Sequence, residues 1–134
     1  MIDITSRTPD CKIRAYDTGE IHISASLARR MKLCDGDRVQ ILMHRNNGYD
    51  ELYIAKGDGA SGIIARGSSD RGRSLRIYSK KASSVLLRGH GKGIFRIGES
   101  IQKDDKELHT IIYCKNYAER KEIHTIQGDH QATI

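Results

Sequence analysis

Ile21 and Ile23 alternate with polar neighbours in Glu20-Ile21-His22-Ile23-Ser24, a period of two that predicts a strand with one apolar face. The pattern then changes period: Leu27 and Met31 stand four apart within 26–32, which predicts a short helix. Arg38-Val39-Gln40-Ile41-Leu42-Met43 returns to strand, and the turn pair Asn47-Gly48 leads into Leu52-Tyr53-Ile54. The same succession recurs later. Ser74-Leu75-Arg76-Ile77-Tyr78 alternates, Ala82, Val85 and Leu86 have helical spacing within 80–87, and extended structure resumes over 93–97.

Between these stretches lies a segment of loop composition, 57–62 and 66–72, around a short apolar Ile63-Ile64-Ala65 that can pair as a strand. Ile21 and Leu75, Ile23 and Ile77, Met31 and Val85, and Leu33 and Leu87 are each separated by 54 residues. Glu51-Leu52 and Glu107-Leu108 are separated by 56, a difference that a two-residue insertion in the intervening turn accounts for. This predicts an internal duplication of a β-α-β-β unit, with repeats at about 19–56 and 73–113. Neither half is long enough to hold a core alone, so the two must share one. The expected fold is mostly β: a small closed barrel of two such units in a single domain spanning 1–134. Its core would comprise Ile21, Ile23, Leu33, Val39, Ile41, Leu52, Ile54, Leu75, Ile77, Leu87, Phe95 and Ile97. A polar C-terminal segment, 116–134, would add at most a short strand over 118–126 before a frayed end.

The first unit resembles the AbrB and MazE family of swapped-hairpin domains through Gly19, Ile21, Ile23, Leu27, Arg30, Leu33, Gly36, Asp37, Val39 and Ile41, followed by Asn47-Gly48 and the strand at 52–54. The similarity covers roughly 19–56. Ser24-Ala25 stands where that family carries a proline, and the second unit has Gly89-His90-Gly91 in place of Gly-Asp. The resemblance implies a barrel of two interlocked units, of swapped-hairpin or double-psi type, and basic side chains that grip operator DNA. Family members reach that barrel by dimerising. A duplicated chain is expected to close it alone, as a monomer.

Composition narrows the function classes. Of the 134 residues 37% are apolar, below the usual ~45–50%, and 30% are charged. Aromatic residues are scarce, with no tryptophan, which argues against a stacking platform for single-stranded bases. Apolar runs such as Ile41-Leu42-Met43 and Val85-Leu86-Leu87 fall far short of the ~20 residues a membrane helix needs. Met1-Ile2-Asp3-Ile4-Thr5 shows neither part of a secretory signal, so a cytoplasmic protein is expected. The odd, widely spaced Cys11, Cys34 and Cys114 read as free thiols packed as small apolar residues.

The net charge of +6 is unevenly placed: residues 66–96 hold nine basic residues and one acid, Asp70, while the remainder of the chain carries −2. Such a concentration attracts polyanions or acidic partners, or forms a solvated face. Other chemistry finds little support. No pair among the six histidines has metal-ligand spacing, and His22 and His109, flanked by apolar neighbours, are expected on solvent faces. Arg88-Gly89-His90-Gly91-Lys92-Gly93 lacks the Ser or Thr and the preceding strand of a phosphate loop, and reads as a helix-to-strand turn. Asp35 with Asp37 and Asp104 with Asp105 lie in polar turns, and Ser61 and Ser79 lack a nucleophile elbow. No enzyme activity, metal or cofactor is expected.

The candidate site is therefore the basic set: Arg29, Arg30 and Lys32 around the first helix, Arg71, Arg73, Arg76, Lys80, Lys81, Arg88 and Lys92 before and around the second. A pseudo-symmetric barrel would relate the two basic helices by a two-fold, offering Lys and Arg to duplex phosphates. The expected function is DNA binding of a regulatory or antitoxin-like kind. The competing expectation is an adaptor barrel that docks an acidic protein.

Overall fold

The computed structural model describes residues 11–67 and 74–113; Arg71, Arg73, Cys114 and the segment 116–134 lie outside them. The fold is mostly β, with strands β1 (Lys12–Tyr16), β2 (Glu20–Ile23), β3 (Arg38–Asn46), β4 (Tyr49–Lys56), β5 (Ile63–Ile64), β6 (Arg66–Gly67), β7 (Leu75–Tyr78), β8 (Lys92–Lys103) and β9 (Lys106–Tyr113). Two short helices, α1 (Ala25–Arg30) and α2 (Lys80–Leu87), interrupt them at the positions the helical spacing predicts.

All the strand pairings are antiparallel, in the order β5-β3-β4-β9-β8-β1-β2-β7-β6. The two edges of this sheet, β5 and β6, are consecutive pieces of one segment, so the ladder curls into a nearly closed barrel. Ala65 joins them at the seam and is fully buried. Its N–H donates to the Asp37 carbonyl at 2.7 Å and its own carbonyl accepts from Gly36 N–H at 2.8 Å. A buried link between strands thus keeps both its backbone groups satisfied.

The strand order is unchanged when β2 is exchanged with β7, β3 with β8, β4 with β9, and β1 with the β5–β6 segment. The β2–β7 pairing places His22 opposite Arg76, residues 54 apart. The predicted β-α-β-β succession is present twice, as β2-α1-β3-β4 and β7-α2-β8-β9, with β1 preceding the first and the β5–β6 segment preceding the second. Serine side chains cap both helices. Ser24 Oγ accepts from Leu27 N–H at 3.3 Å to start α1, and Ser79 Oγ accepts from Ala82 N–H at 3.1 Å to start α2, residues 55 apart. α1 ends at its C-cap Met31, directly before Lys32, and α2 at its C-cap Arg88; Lys32 and Arg88 both have positive φ.

Both long hairpins close through two-residue turns in which each residue has positive φ: Asn47-Gly48 for β3–β4 and Asp104-Asp105 for β8–β9. That geometry matches the right-handed twist of paired strands.

The barrel interior is one cluster that includes Ile13, Ile21, Ile23, Leu27, Ile54, Leu86, Leu87 and Phe95. Ten of the twelve expected core residues are buried, while Ile41 and Leu52 are half-buried against the same cluster. A smaller apolar patch of Tyr53, Ala55 and Leu108 covers the outer side of β4 and β9, with Leu42 of β3 packed on it. This patch overturns the expectation for His109. Leu108 faces outward onto it, so His109 shares the inward side with its cross-strand partner Ile54 and is 2% exposed. His22 does face outward, half-buried. Cys11 is half-buried as expected, but Cys34 is exposed and not packed as an apolar residue. No helix among the described residues is long and apolar enough to cross a membrane.

Candidate nucleic-acid interface

Side chains on a strand alternate between faces, and directly opposed residues on neighbouring strands share a face. In β1 the buried Ile13 and Ala15 turn Lys12, Arg14 and Tyr16 outward. In β2 the buried Ile21 and Ile23 turn Glu20 and His22 outward, and in β7 Leu75 and Ile77 do the same for Arg76 and Tyr78. Pairing then aligns these positions across the sheet. Arg14 stands opposite His22, His22 opposite Arg76, and Arg76 opposite Arg66 of β6. Four adjacent strands thus present Arg14, His22, Arg76 and Arg66 in one transverse row, spanning about 14 Å at the usual ~4.8 Å between strands.

Further basic residues border this row. Lys12 stands opposite Arg96, and Tyr16 opposite Lys92. Arg14, Tyr16, Lys92, Gly93 and Ile94 line a shallow cavity of about 340 Å³ on this face. Two carboxylates stand near the row. Glu20 Oε2 is 2.9 Å from His22 Nε2, and Asp35 Oδ2 is 4.0 Å from Arg66 Nη1, an exposed and weak contact. Among the described residues neither Arg14 nor Arg76 is paired with a carboxylate.

Like charges directly opposite one another on paired strands oppose folding. The Arg76–Arg66 pair, with His22 and Arg14 beyond it, is therefore an arrangement that stability alone does not call for. A polyanion laid across the row would turn the mutual repulsion into attraction.

The structure assembles only part of the expected site. Arg76 belongs to the row, Lys92 flanks it, and Lys80 lies beyond Tyr78 against Gly19. Lys81 shares with Lys80 a cavity of about 520 Å³ that Asp17 also lines. Arg88 is directed elsewhere: it lines a separate cavity of about 630 Å³ with Asp50, Glu51 and Phe95. There the Arg45 hydrogen bond holds the Asp50 carboxyl below its ordinary range, with a smaller contribution from Arg88. Because β2 and β7 are antiparallel, α1 and α2 start from opposite ends of the barrel, so their basic residues form no joint cluster. Arg29 and Arg30 occupy the last turn of α1, where positive charge suits the helix dipole, and Arg30 Nη2 donates to the Gly98 carbonyl at 2.6 Å. The Lys32 carbonyl accepts from Lys56 Nζ at 3.2 Å. All three residues are exposed at the α1 end of the barrel and are not part of the row.

Sequence reasoning did not single out Lys12, Arg14, Arg66 and Arg96, which form or border this row. One signal was present for the first two: basic and apolar residues alternate in Lys12-Ile13-Arg14-Ala15-Tyr16 ahead of the turn-forming Asp17-Thr18-Gly19. No protein-family model matches this sequence, and comparison with curated proteins and with solved structures returns no significant match.

Proposed function

We propose that this protein binds duplex DNA by its phosphates, through the outer face of β8, β1, β2, β7 and β6, in a regulatory or antitoxin-like role. The observation that carries the reading is the transverse row Arg14, His22, Arg76 and Arg66, which sets like charges opposite one another on paired strands. Guanidinium groups suit phosphate because their fork of donors matches its oxygens. The width of the row is comparable with the ~12 Å major groove of B-form DNA. The exchangeable strand order supports an origin by internal duplication of a swapped-hairpin-like unit, in which one chain holds both halves of the barrel.

The test is the salt dependence of duplex binding by the full chain. Affinity should fall with a log–log slope of about −0.9 for each phosphate neutralised. Arg14→Ala and Arg76→Ala should each make that slope shallower by about 0.9, with melting temperature little changed, since exposed substitutions usually cost within about 0.5 kcal/mol. Substitution of Arg88, which lies apart, should leave the slope unaltered. Salt-sensitive binding to an acidic protein, with none to duplex DNA at physiological salt, would replace this reading with the adaptor one.

A further inference from the structure

The ladder between β4 and β9 consists of Tyr53 opposite Thr110 and Ile54 opposite His109, yet both strands run on beyond it at either end. A cavity lies at each end. Exchanging β4 with β9 leaves the strand order unchanged, so the two cavities occupy equivalent places in the barrel, but their linings differ. We propose that the larger one, of about 630 Å³ beside the end of α2, binds a small molecule with an apolar ring-sized body and one anionic group, the anion held by Arg88.

In the smaller cavity, of about 390 Å³, the charged groups are already matched. Lys106 Nζ lies 3.6 Å from Asp58 Oδ2 and donates to Gln40 Oε1. Lys56 Nζ lies 3.6 Å from Asp37 Oδ2 and donates to the Lys32 carbonyl, while Glu107 meets His109. A charged ligand there would have to displace one of these partners. In the larger cavity it is the acids that are engaged: Asp50 accepts from Arg45 Nε at 2.9 Å, and Glu51 accepts from the Tyr53 hydroxyl at 2.5 Å and from Asn46 Nδ2 at 3.0 Å. Among the described residues Arg88 forms no salt bridge, and Asp50, the nearest acid to feel its charge, is bonded to Arg45 instead. The place of Arg88 at the rim is set by the helix, which it caps in left-handed backbone at φ 50°.

The rest of the lining is apolar. Leu86 and Phe95 are each 1% exposed, whereas Ile112 and Tyr113 are 44% and 49% exposed, and the Tyr113 ring meets Phe95 edge-on with centroids 5.9 Å apart. The volume falls within the ~300–1,000 Å³ of small-molecule sites, which combine a mainly apolar lining with a few placed polar groups. An apolar ring seated here covers surface of Ile112 and Tyr113 that water now reaches, and the Arg88 guanidinium offers a carboxylate or sulfonate two parallel hydrogen bonds. Asp50 and Glu51, on the β4 side, repel a second anionic group, which limits the ligand to one. The site lies across the barrel from the arginine row, because β4–β9 and β2–β7 are the two pairings about which the strand order is symmetric. It is therefore independent of the proposed function.

The test uses the full-length chain and two fluorescent probes, anilinonaphthalene sulfonate and phenylnaphthylamine, the same ring system without the sulfonate. The chain has no tryptophan to interfere. Wild type should bind the sulfonate saturably, at one site per chain. Arg88→Gln should weaken it by about tenfold or more, as expected for a hydrogen bond to a charged group, and leave the affinity for the neutral probe unchanged. Ile112→Glu, at an exposed position of the wall, should weaken both probes, with circular dichroism establishing that both variants are folded. Arg76→Ala, in the basic row, should change neither. Equal sulfonate affinity in wild type and Arg88→Gln overturns the role of Arg88. A loss in Arg76→Ala instead places the anion on the row and overturns the site, as does the absence of saturable binding by either probe. None of these results bears on the duplex reading, which stands or falls on its own salt dependence.

Discussion

Replacing His109 by leucine should stabilise this protein, and increasingly so as the pH falls. The imidazole is 2% exposed on the inward side of β9; Nε2 lies 3.1 Å from the Glu107 carboxylate, while Nδ1 is buried with no partner among the described residues. Burial pushes its pKa below the ordinary histidine value, the charge of Arg30 adds to the effect, and Glu107 opposes it. The folded protein therefore takes up this proton less readily than the unfolded chain. Above the unfolded value of about 6.5 neither state is protonated and stability is at its full level. Below it the unfolded chain binds the proton first, so stability falls by up to about 1.4 kcal/mol per pH unit until the depressed folded value is reached. Leucine removes the orphaned acceptor, whose burial costs about 1–3 kcal/mol, and loses a hydrogen bond to a carboxylate worth about 1.5–3 kcal/mol, while its own buried side chain adds about 1.5–3 kcal/mol, less what the imidazole carbons already contribute. The net expectation is a gain of about 1 kcal/mol at pH 8. With an m-value near 2 kcal/mol/M that gain moves the urea midpoint up by about 0.5 M, and the difference between variant and wild type should widen at pH 5.5. Taking that difference at each pH cancels the other titrating groups. A difference that stays constant across this range would refute the argument from burial. So would a variant less stable than wild type at pH 8, since Nδ1 would then have a partner worth more than the space it occupies.

Two further outcomes test the barrel itself. Gly62→Ala should cost more than the ~1–2 kcal/mol of placing an L-residue in left-handed backbone, because its φ is +98° and a Cβ there would lie 2.7 Å from the Val39 carbonyl oxygen; Gly48→Ala, at φ +90° with open space around it, should cost only the backbone part, as chemical denaturation will show. Sedimentation at low concentration should give a folded monomer, since β5 and β6 close the sheet within one chain, and an obligate dimer with exchanged strands would contradict that closure.

The elements that alternate cleanly were legible in the sequence because one face of each is buried and the other is wet. Ile21 and Ile23, Leu75 and Ile77, and the two serine-capped helices are of this kind. The reading failed where that contrast is weak. β1 turns only Ile13 and Ala15 inward, and a small residue such as alanine scarcely marks a face. In β9 both faces carry apolar residues, with Leu108 packing outward on Tyr53 and Ala55 and Ile111 packing inward, so alternation could be read in either phase and His109 was placed on the wrong side. The candidate site was less legible still. Arg14, His22, Arg76 and Arg66 are remote in sequence and meet only through the β1–β2, β2–β7 and β6–β7 ladders, whereas charge counting along the chain favours residues that cluster locally, such as Arg29 and Arg30.

The segment that closes the barrel also completes the basic row. Ala65 holds the seam through Gly36 and Asp37, and the next residue, Arg66, is set opposite Arg76 by the same closure. Gly67 N–H donates to Asp35 Oδ1 at 2.7 Å, tying the seam again to the α1–β3 turn, so the repulsion between Arg66 and Arg76 is borne at a strand edge held by backbone contacts. An unfolded or opened chain has no such row. A ligand that requires all four positions binds only the closed state, and such a ligand stabilises that state by RT ln(1 + [L]/Kd), about 2.7 kcal/mol at a hundredfold excess over Kd. On the proposed function, the charge arrangement that weakens the isolated barrel at its seam would also couple barrel closure to binding. Duplex DNA would then occupy the face that β6 completes at the seam.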